Sequence, residues 1–365
     1  MRRILKTLIR FSLIAISRHS PSPKGRRVSS LRTLLISSFS IFIFSVSPIF
    51  ADATYTGVTS AQFLKVYGMA RPAGMSGAMT ALGDDLDGAF FNPSALAFID
   101  DDNLKISTSY MTWLGDTKYT NFSFAKKLGI GTVALMTNFL YLGEFQESTD
   151  SATSGTGNTI TSYDYSVGLG FGFDISDRYK VGIVSKVFSD VIGTNSLTGY
   201  SLDLGSNLQL NKNIYLGLSA KNVVGTFGAE SLPFDYSVGL GLKSERLNIG
   251  LDYHLPRDAF QYLSVGGEFL PNNKLAFRAG FDTKQSGTLS PSFGIGLMDG
   301  NVSFDYSYRV QSNFEGVHSF SMKFSPIYRY MEERVDDYRP ERRPPYPPPQ
   351  PIHPPHPPHP PNPPY

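Results

Sequence analysis

At 365 residues, with Gly 34, Tyr 20, Phe 27, Pro 25 and no cysteine, the chain can form one large β-barrel and is rich in the aromatic and turn-forming residues of β structure. A formal charge of +2 leaves no electrostatic footprint for nucleic acid or a strongly acidic partner. The lack of cysteine excludes disulfides, thiolate metal sites and a cysteine nucleophile, and it suits export to an oxidising compartment.

The chain opens on a targeting pattern. Arg26, Arg27 and Arg32 precede an uncharged apolar run from Leu34 to Phe50, and Ala51-Asp52-Ala53 supplies a small-x-small cleavage pattern. Residues 1–53 therefore read as a signal peptide cut after Ala53. A retained membrane helix competes with this reading, but serines within the run and the cleavage pattern oppose it. The stretch Met1 to Lys24 is longer than a signal requires, and a misassigned start codon would account for it.

Residues 54–103 do not alternate. Gly74, Gly77, Ala78 and Ala81 are small residues at helical spacing, which would let a short helix approach a wall closely. Asn92 and Pro93 read as N-cap and first helical residue of a second short helix through Ser94, Ala95, Leu96 and Ala97. The segment is too short to fold alone and is expected inside a barrel as a hatch, with Phe90 and Phe91 packing in the lumen and contacting any ligand there. Asp84, Asp85 and Asp87 lack the spacing of an EF-hand loop, so no metal or other cofactor is predicted. They are expected to cap the hatch helix or to pair with inward cations such as Lys180, Lys186, Arg278 or Arg309.

From Leu104 to Phe324 the apolar period is two. In "NVSFDYSYRVQ", Val302, Phe304, Tyr306, Tyr308 and Val310 share one face and Ser303, Asp305, Ser307 and Arg309 the other. Fourteen strands of about ten residues are predicted, the length a tilted strand needs to cross a bilayer. They start near Leu104, Thr117, Gly129, Thr161, Arg178, Thr198 and Asn213, and then near Pro233, Arg246, Phe260, Lys274, Leu289, Asn301 and Glu315. The even-numbered connections are short and polar, whereas odd ones such as 141–160, 189–197 and 223–232 are long and rich in Gly, Ser and Thr. A soluble sandwich, the competing all-β reading, has no reason to sort its connections by parity; a transmembrane barrel does.

The small inward residues suit an occupied lumen. Inward charges of both signs (Asp203, Lys221, Asp235, Asp252, Glu268, Arg278, Asp282, Asp305) suit a structural network holding a plug, since a selectivity ring would carry one sign. Val133, Ala134, Leu135 and Met136 are apolar at both parities, and Val133 and Leu135 are taken as lumen contacts of a hydrophobic ligand, with contact to the hatch the competing role. His254 and His318 sit in no nucleophile arrangement, so no catalytic residue and no enzyme is predicted. From residue 326 the tail, ending "PIHPPHPPHPPNPPY", is expected to be extended polyproline II without a core. Its His353, His356 and His359 share one face and cannot close around one ion.

The stretch Ala61 to Ile99 resembles the amino-terminal signature of the PorV/PorQ family, itself similar to FadL-type outer-membrane barrels. The matching positions are Phe63, Leu64, Ala70, Arg71, Pro72, Met75, Gly77, Ala78, Thr80, Ala81, Asp84, Asp85, Asn92, Pro93, Leu96 and Ala97, with Ser76 and Ser94 as small-residue departures. The resemblance implies an outer-membrane barrel of about fourteen strands with an internal plug. Its family roles divide between transport of hydrophobic small molecules and PorV/PorQ-type protein secretion with surface attachment; a structural scaffold joined to the periplasm by the tail is a third reading. The expected partners are outer-membrane lipids, the barrel-assembly machinery, and either a hydrophobic ligand or secretion-machinery proteins. Both termini are expected in the periplasm.

Overall fold

The computed structural model describes residues 59–324 apart from 101–102, 114, 116, 152, 286–287 and 312–314, and only the backbone of 285 and 288. The expected cleavage site at Ala53 and the tail from residue 326 lie outside the described residues.

Alternation at period two builds fourteen antiparallel strands. The first seven are β1 (Lys105–Thr112), β2 (Lys118–Leu128), β3 (Gly131–Gln146), β4 (Thr159–Ser176), β5 (Tyr179–Ile192), β6 (Asn195–Gln209) and β7 (Ile214–Thr226). The second seven are β8 (Asp235–Lys243), β9 (Leu247–Pro256), β10 (Tyr262–Asn272), β11 (Leu275–Gln285), β12 (Thr288–Asp299), β13 (Val302–Arg309) and β14 (Val317–Phe324). Each strand pairs with its sequence neighbours, and β1 pairs with β14 from Ile106–Phe324 to Thr112–His318, so the sheet closes and leaves no edge. Observed strand starts fall within three residues of those expected from the alternation.

The strands β3 to β6 are longer than the expected ten residues, at 16, 18, 14 and 15. Two of the expected long loops shrink accordingly: 141–160 becomes 147–158, and 189–197 becomes the two-residue turn 193–194. Pairing beyond the apolar belt still satisfies backbone groups, so the hairpin continues until Gly193, at φ +59°, permits a tight turn. All six even connections remain short, which keeps the two ends of the barrel distinct.

The outer face is apolar. Phe122, Leu169, Val187, Val224, Leu240, Phe277, Phe293, Phe304 and Phe320, spread over nine strands, are all exposed there. So continuous an apolar girdle is untenable in water and fits a hydrocarbon environment.

The hatch runs inside. A 3₁₀ turn at Gln62–Lys65 is followed by the helix α1 (Ala70–Gly74) and by 3₁₀ turns at Gly88–Phe90 and Pro93–Phe98. The second expected helix forms in the tighter 3₁₀ geometry, with the Asn92 side chain accepting from the Ser94 N–H. The first ends early. Gly77 takes φ +79° and Ser76 φ +50°, so the small residues from Gly77 to Ala81 form an irregular strap and no helix. They are small because the strap lies against the wall.

That wall carries glycines at the matching level. A Cβ at Gly182 would lie 2.1 Å from the Pro93 carbonyl oxygen, one at Gly217 2.0 Å from that of Thr80, and one at Gly266 2.4 Å from that of Met75. Inward glycines thus remove the side-chain layer where the hatch backbone touches the sheet.

The hatch begins at the opposite end of the barrel from β1. Thr59 bridges to Ser231, and Thr59, Gln62 and Lys65 all bond Asp258, residues of the odd connections 227–234 and 257–261. The first described residue therefore sits at the odd-connection end, whereas Phe324 ends β14 at the even-connection end beside the start of β1. The hatch therefore crosses the lumen lengthwise before the first strand; the two termini, expected in the periplasm, lie outside the described residues.

Candidate functional site

Two arrangements meet at the hatch: an ionic lock on the even-connection side and a small chamber on the odd-connection side.

The lock starts from Arg71 on α1. Its guanidinium donates to Asp84 at 2.8 Å and Asp85 at 3.1 Å within the hatch, and to the Glu268 carboxylate on β10 at 3.1 Å. Glu268 also accepts from Arg278 on β11 at 2.8 Å and Asn248 on β9 at 2.9 Å, and Arg278 reaches Asp305 on β13 at 2.7 Å. Lys323 on β14 approaches Asp85 at 3.0 Å and both Asp87 and Asp305 at 3.5 Å, while Lys243 on β8 takes the second oxygen of Asp84 at 3.1 Å. One hatch loop is thereby held to strands that span half the barrel. A buried charge without partners is prohibitively costly, so each carboxylate specifies where its cation must be.

The hatch carboxyls differ in electrostatic state. Burial works against ionisation of Asp85, but Lys323, Arg71 and the Gly88 N–H outweigh it and hold its carboxyl below the usual range. At Asp87 burial wins, aided by the neighbouring Asp85, and its carboxyl is pushed up despite Lys323 and the bond from Ser107.

The expected partners of the aspartates need correction. Lys180 pairs with Asp174, Lys186 with Asp203 and Arg309 with Asp282, while Arg278 joins the network through Glu268 and Asp305. Lys323 and Lys243, which hold them, were not singled out. Lys323 had a signal, because it falls on the inward parity of Val317, Ser319 and Ser321.

The other predicted hatch residues are brought together around this core. Met75, Ala78 and Leu96 are fully buried, and Asn92 donates to the carbonyls of Thr80 and Ser206, tying strap to β6. The Pro72 carbonyl accepts from the N–H groups of Met75 and Gly77 and closes the end of α1. Phe63 packs edge-on against Phe188 at 6.0 Å, and the carbonyl of Ala97 accepts from Lys180.

Val133 and Leu135 are not lumen residues. In register, Leu135 opposes Leu169, which is 63% exposed, and Val133 opposes Phe171, so both face outward; Ala134 and Met136 face in and pack on the hatch. Directly opposed residues share a face, and an all-apolar stretch conceals which parity that is.

The chamber lies between the hatch and the odd-connection end. It consists of two cavities of about 30 Å³, enough for ordered water and not for an organic solute, which share Lys65, Tyr67, Phe91 and Lys221 as common wall. One is lined further by Leu64, Phe90, Met136 and Val184, the other by Asp235, His254, Tyr262, Asp282, Lys284 and Arg309. Phe91 lines both cavities and Phe90 one of them. Among the described residues no three or more His, Cys, Asp or Glu side chains are placed to hold a metal ion.

No protein-family model and no curated protein matches the chain. Solved structures do match in fold. The crystal structure of the Pseudomonas putida toluene transporter TodX aligns at 13% identity and TM-score 0.50 over 71% of this chain and 98% of that one. A TodX deltaS2S3 mutant, described as a monoaromatic hydrocarbon channel, aligns at 13% identity and TM-score 0.52 over the same shares. A Pseudomonas aeruginosa FadL homologue aligns at 11% identity and TM-score 0.49 over 70% of this chain and 98% of that one.

Proposed function

We propose that this chain is a plugged bacterial outer-membrane barrel that admits hydrophobic small molecules. The observation that carries the reading is the combination of an apolar outer girdle with a hatch-filled lumen in which an aromatic-lined chamber lies on the side of the longer connections. The fold shared with TodX, a toluene transporter, supports it. The even turns would face the periplasm, as short turns do in outer-membrane barrels, and solute would enter from the odd-connection end and leave by hatch rearrangement or a lateral gap.

A second reading is favoured by one observation. The two cavities are separate and small, and the hatch is interlocked with the wall, so a sealed barrel serving as a docking component of PorV/PorQ-type secretion also fits. Reconstitution into liposomes decides between them. Transport predicts flux of a neutral monoaromatic such as toluene, abolished or deregulated when residues 61–100 are deleted. Absence of flux in both proteins, with co-purification of secretion partners, would favour the docking role.

A further inference from the structure

The chamber carries a charge pattern that a site for neutral hydrocarbons does not need. Its carboxylates are largely engaged: Asp258 holds Lys65 at 2.9 Å, Asp203 holds Lys186 at 2.8 Å, and Asp282 holds Arg309. Two ammonium groups remain without an ion pair among the described residues. Lys221 Nζ lies 5.8 Å from the centre of the Phe91 ring and Lys284 Nζ 5.6 Å from that of Tyr262. Against these two cations stands one further carboxylate, Asp235, whose partner within 4 Å is His254 at 3.4 Å and whose Oδ1 has no hydrogen bond.

His254 adds a polar group to this wall. It is 5% exposed, stacks on Tyr262 with ring centres 4.4 Å apart, turns Nδ1 toward Asp235 at 3.4 Å, and has no hydrogen-bond partner at Nε2. Buried polar atoms are ordinarily satisfied, by protein, water or ligand. A polar, aromatic-walled space with one cation in surplus is complementary to a single negative charge borne on a flat apolar body.

We infer that the chamber is a binding site for a small aromatic monoanion, a benzoate-like carboxylate, with its charge between Lys221 and Lys284 and its ring against Phe91 and Tyr262. This rests on the proposed transport reading and names its substrate class. Tyr67 and Phe91, with ring centres 4.7 Å apart, line both cavities, so on this inference the ring enters only when Tyr67 swings aside.

The test is calorimetric titration of the full chain in detergent micelles with sodium benzoate and its neutral near-isostere benzyl alcohol, at fixed ionic strength. Benzoate is expected to bind at least tenfold more tightly than benzyl alcohol. Lys221→Met and Lys284→Gln should each weaken benzoate about tenfold with unchanged heat-modifiable migration, and Tyr67→Ala should strengthen it. Equal affinity for the two probes, benzoate binding indifferent to both lysine variants, or no binding of benzoate would each overturn the inference. Equal binding together with toluene flux in liposomes would leave the transport reading standing and sink only the anion preference; lack of toluene flux with lysine-dependent benzoate binding would do the reverse.

Discussion

Gly205 on β6 faces Asn92 of the hatch so closely that a Cβ on the glycine would sit 2.0 Å from the Asn92 side-chain oxygen and 2.7 Å from the Pro93 ring. The asparagine that starts the last hatch turn and the wall glycine 113 residues later are therefore one packing unit. Gly205→Val should unseat this part of the hatch while leaving the barrel assembled. Limited proteolysis should cut the variant near residues 90–98, and liposome swelling should increase. Gly267→Ala is the control, because its nearest neighbour across the space is 3.9 Å away.

Asp85 and Asp87 are two residues apart and should respond oppositely to neutralisation. The Asp85 carboxyl is held low by Lys323 and Arg71, so it contributes stability that is present above the ordinary carboxylate pKa and lost as pH falls through its depressed value. Asp85→Asn leaves Lys323 and Arg71 less compensated and should cost on the order of 3 kcal/mol. The Asp87 carboxyl is raised, so its ionised form is a liability that grows as pH rises through the raised value. Asp87→Asn keeps an oxygen to accept from Ser107 and should leave stability at neutral pH unchanged or higher. Urea-induced loss of heat-modifiable migration measures both.

Leu135→Arg separates the lipid face from the lumen. If Leu135 faces hydrocarbon, as its pairing with Leu169 requires, the substitution should cost about 2–4 kcal/mol of barrel stability near mid-membrane. A stability equal to the wild type would return Leu135 to the lumen.

The entry strap at residues 59–65 hangs on Asp258, which receives Thr59, Gln62 and Lys65. Asp258→Ala removes three partners at once, so the strap should become the first site of proteolysis from the odd-connection end. Cleavage unchanged from the wild type would show that the bridge from Thr59 to Ser231 suffices alone.

The strands and their turns were legible in the sequence because they are local. Alternation in "NVSFDYSYRVQ" fixes which side chains share a face, and short polar turns fix the hairpins, so pairing of neighbours follows from nearest-neighbour physics. Asn92-Pro93 likewise announced a helical start whose cap is made by the residue itself. Strand ends were less legible, since a paired ladder can outrun the apolar belt, as β4 and β5 do up to Gly193.

What the sequence by itself determined is thus an alternating chain that must close on itself around a small-residue hatch. Only the tertiary structure decided how that hatch is held. Asp85 and Lys323 are 238 residues apart, and closure of β14 onto β1 brings them within 3.0 Å. The side on which Val133 and Leu135 lie was equally undecided along the chain, because every residue from 133 to 136 is apolar and only the register against β4 selects the parity. The glycines of the inner wall read as weak strand residues one by one; the backbone that occupies the place of their missing side chains comes from residues far away in the chain, as Met75 does at Gly280. Local preferences build the wall, and long-range electrostatics and excluded volume choose what fits inside it.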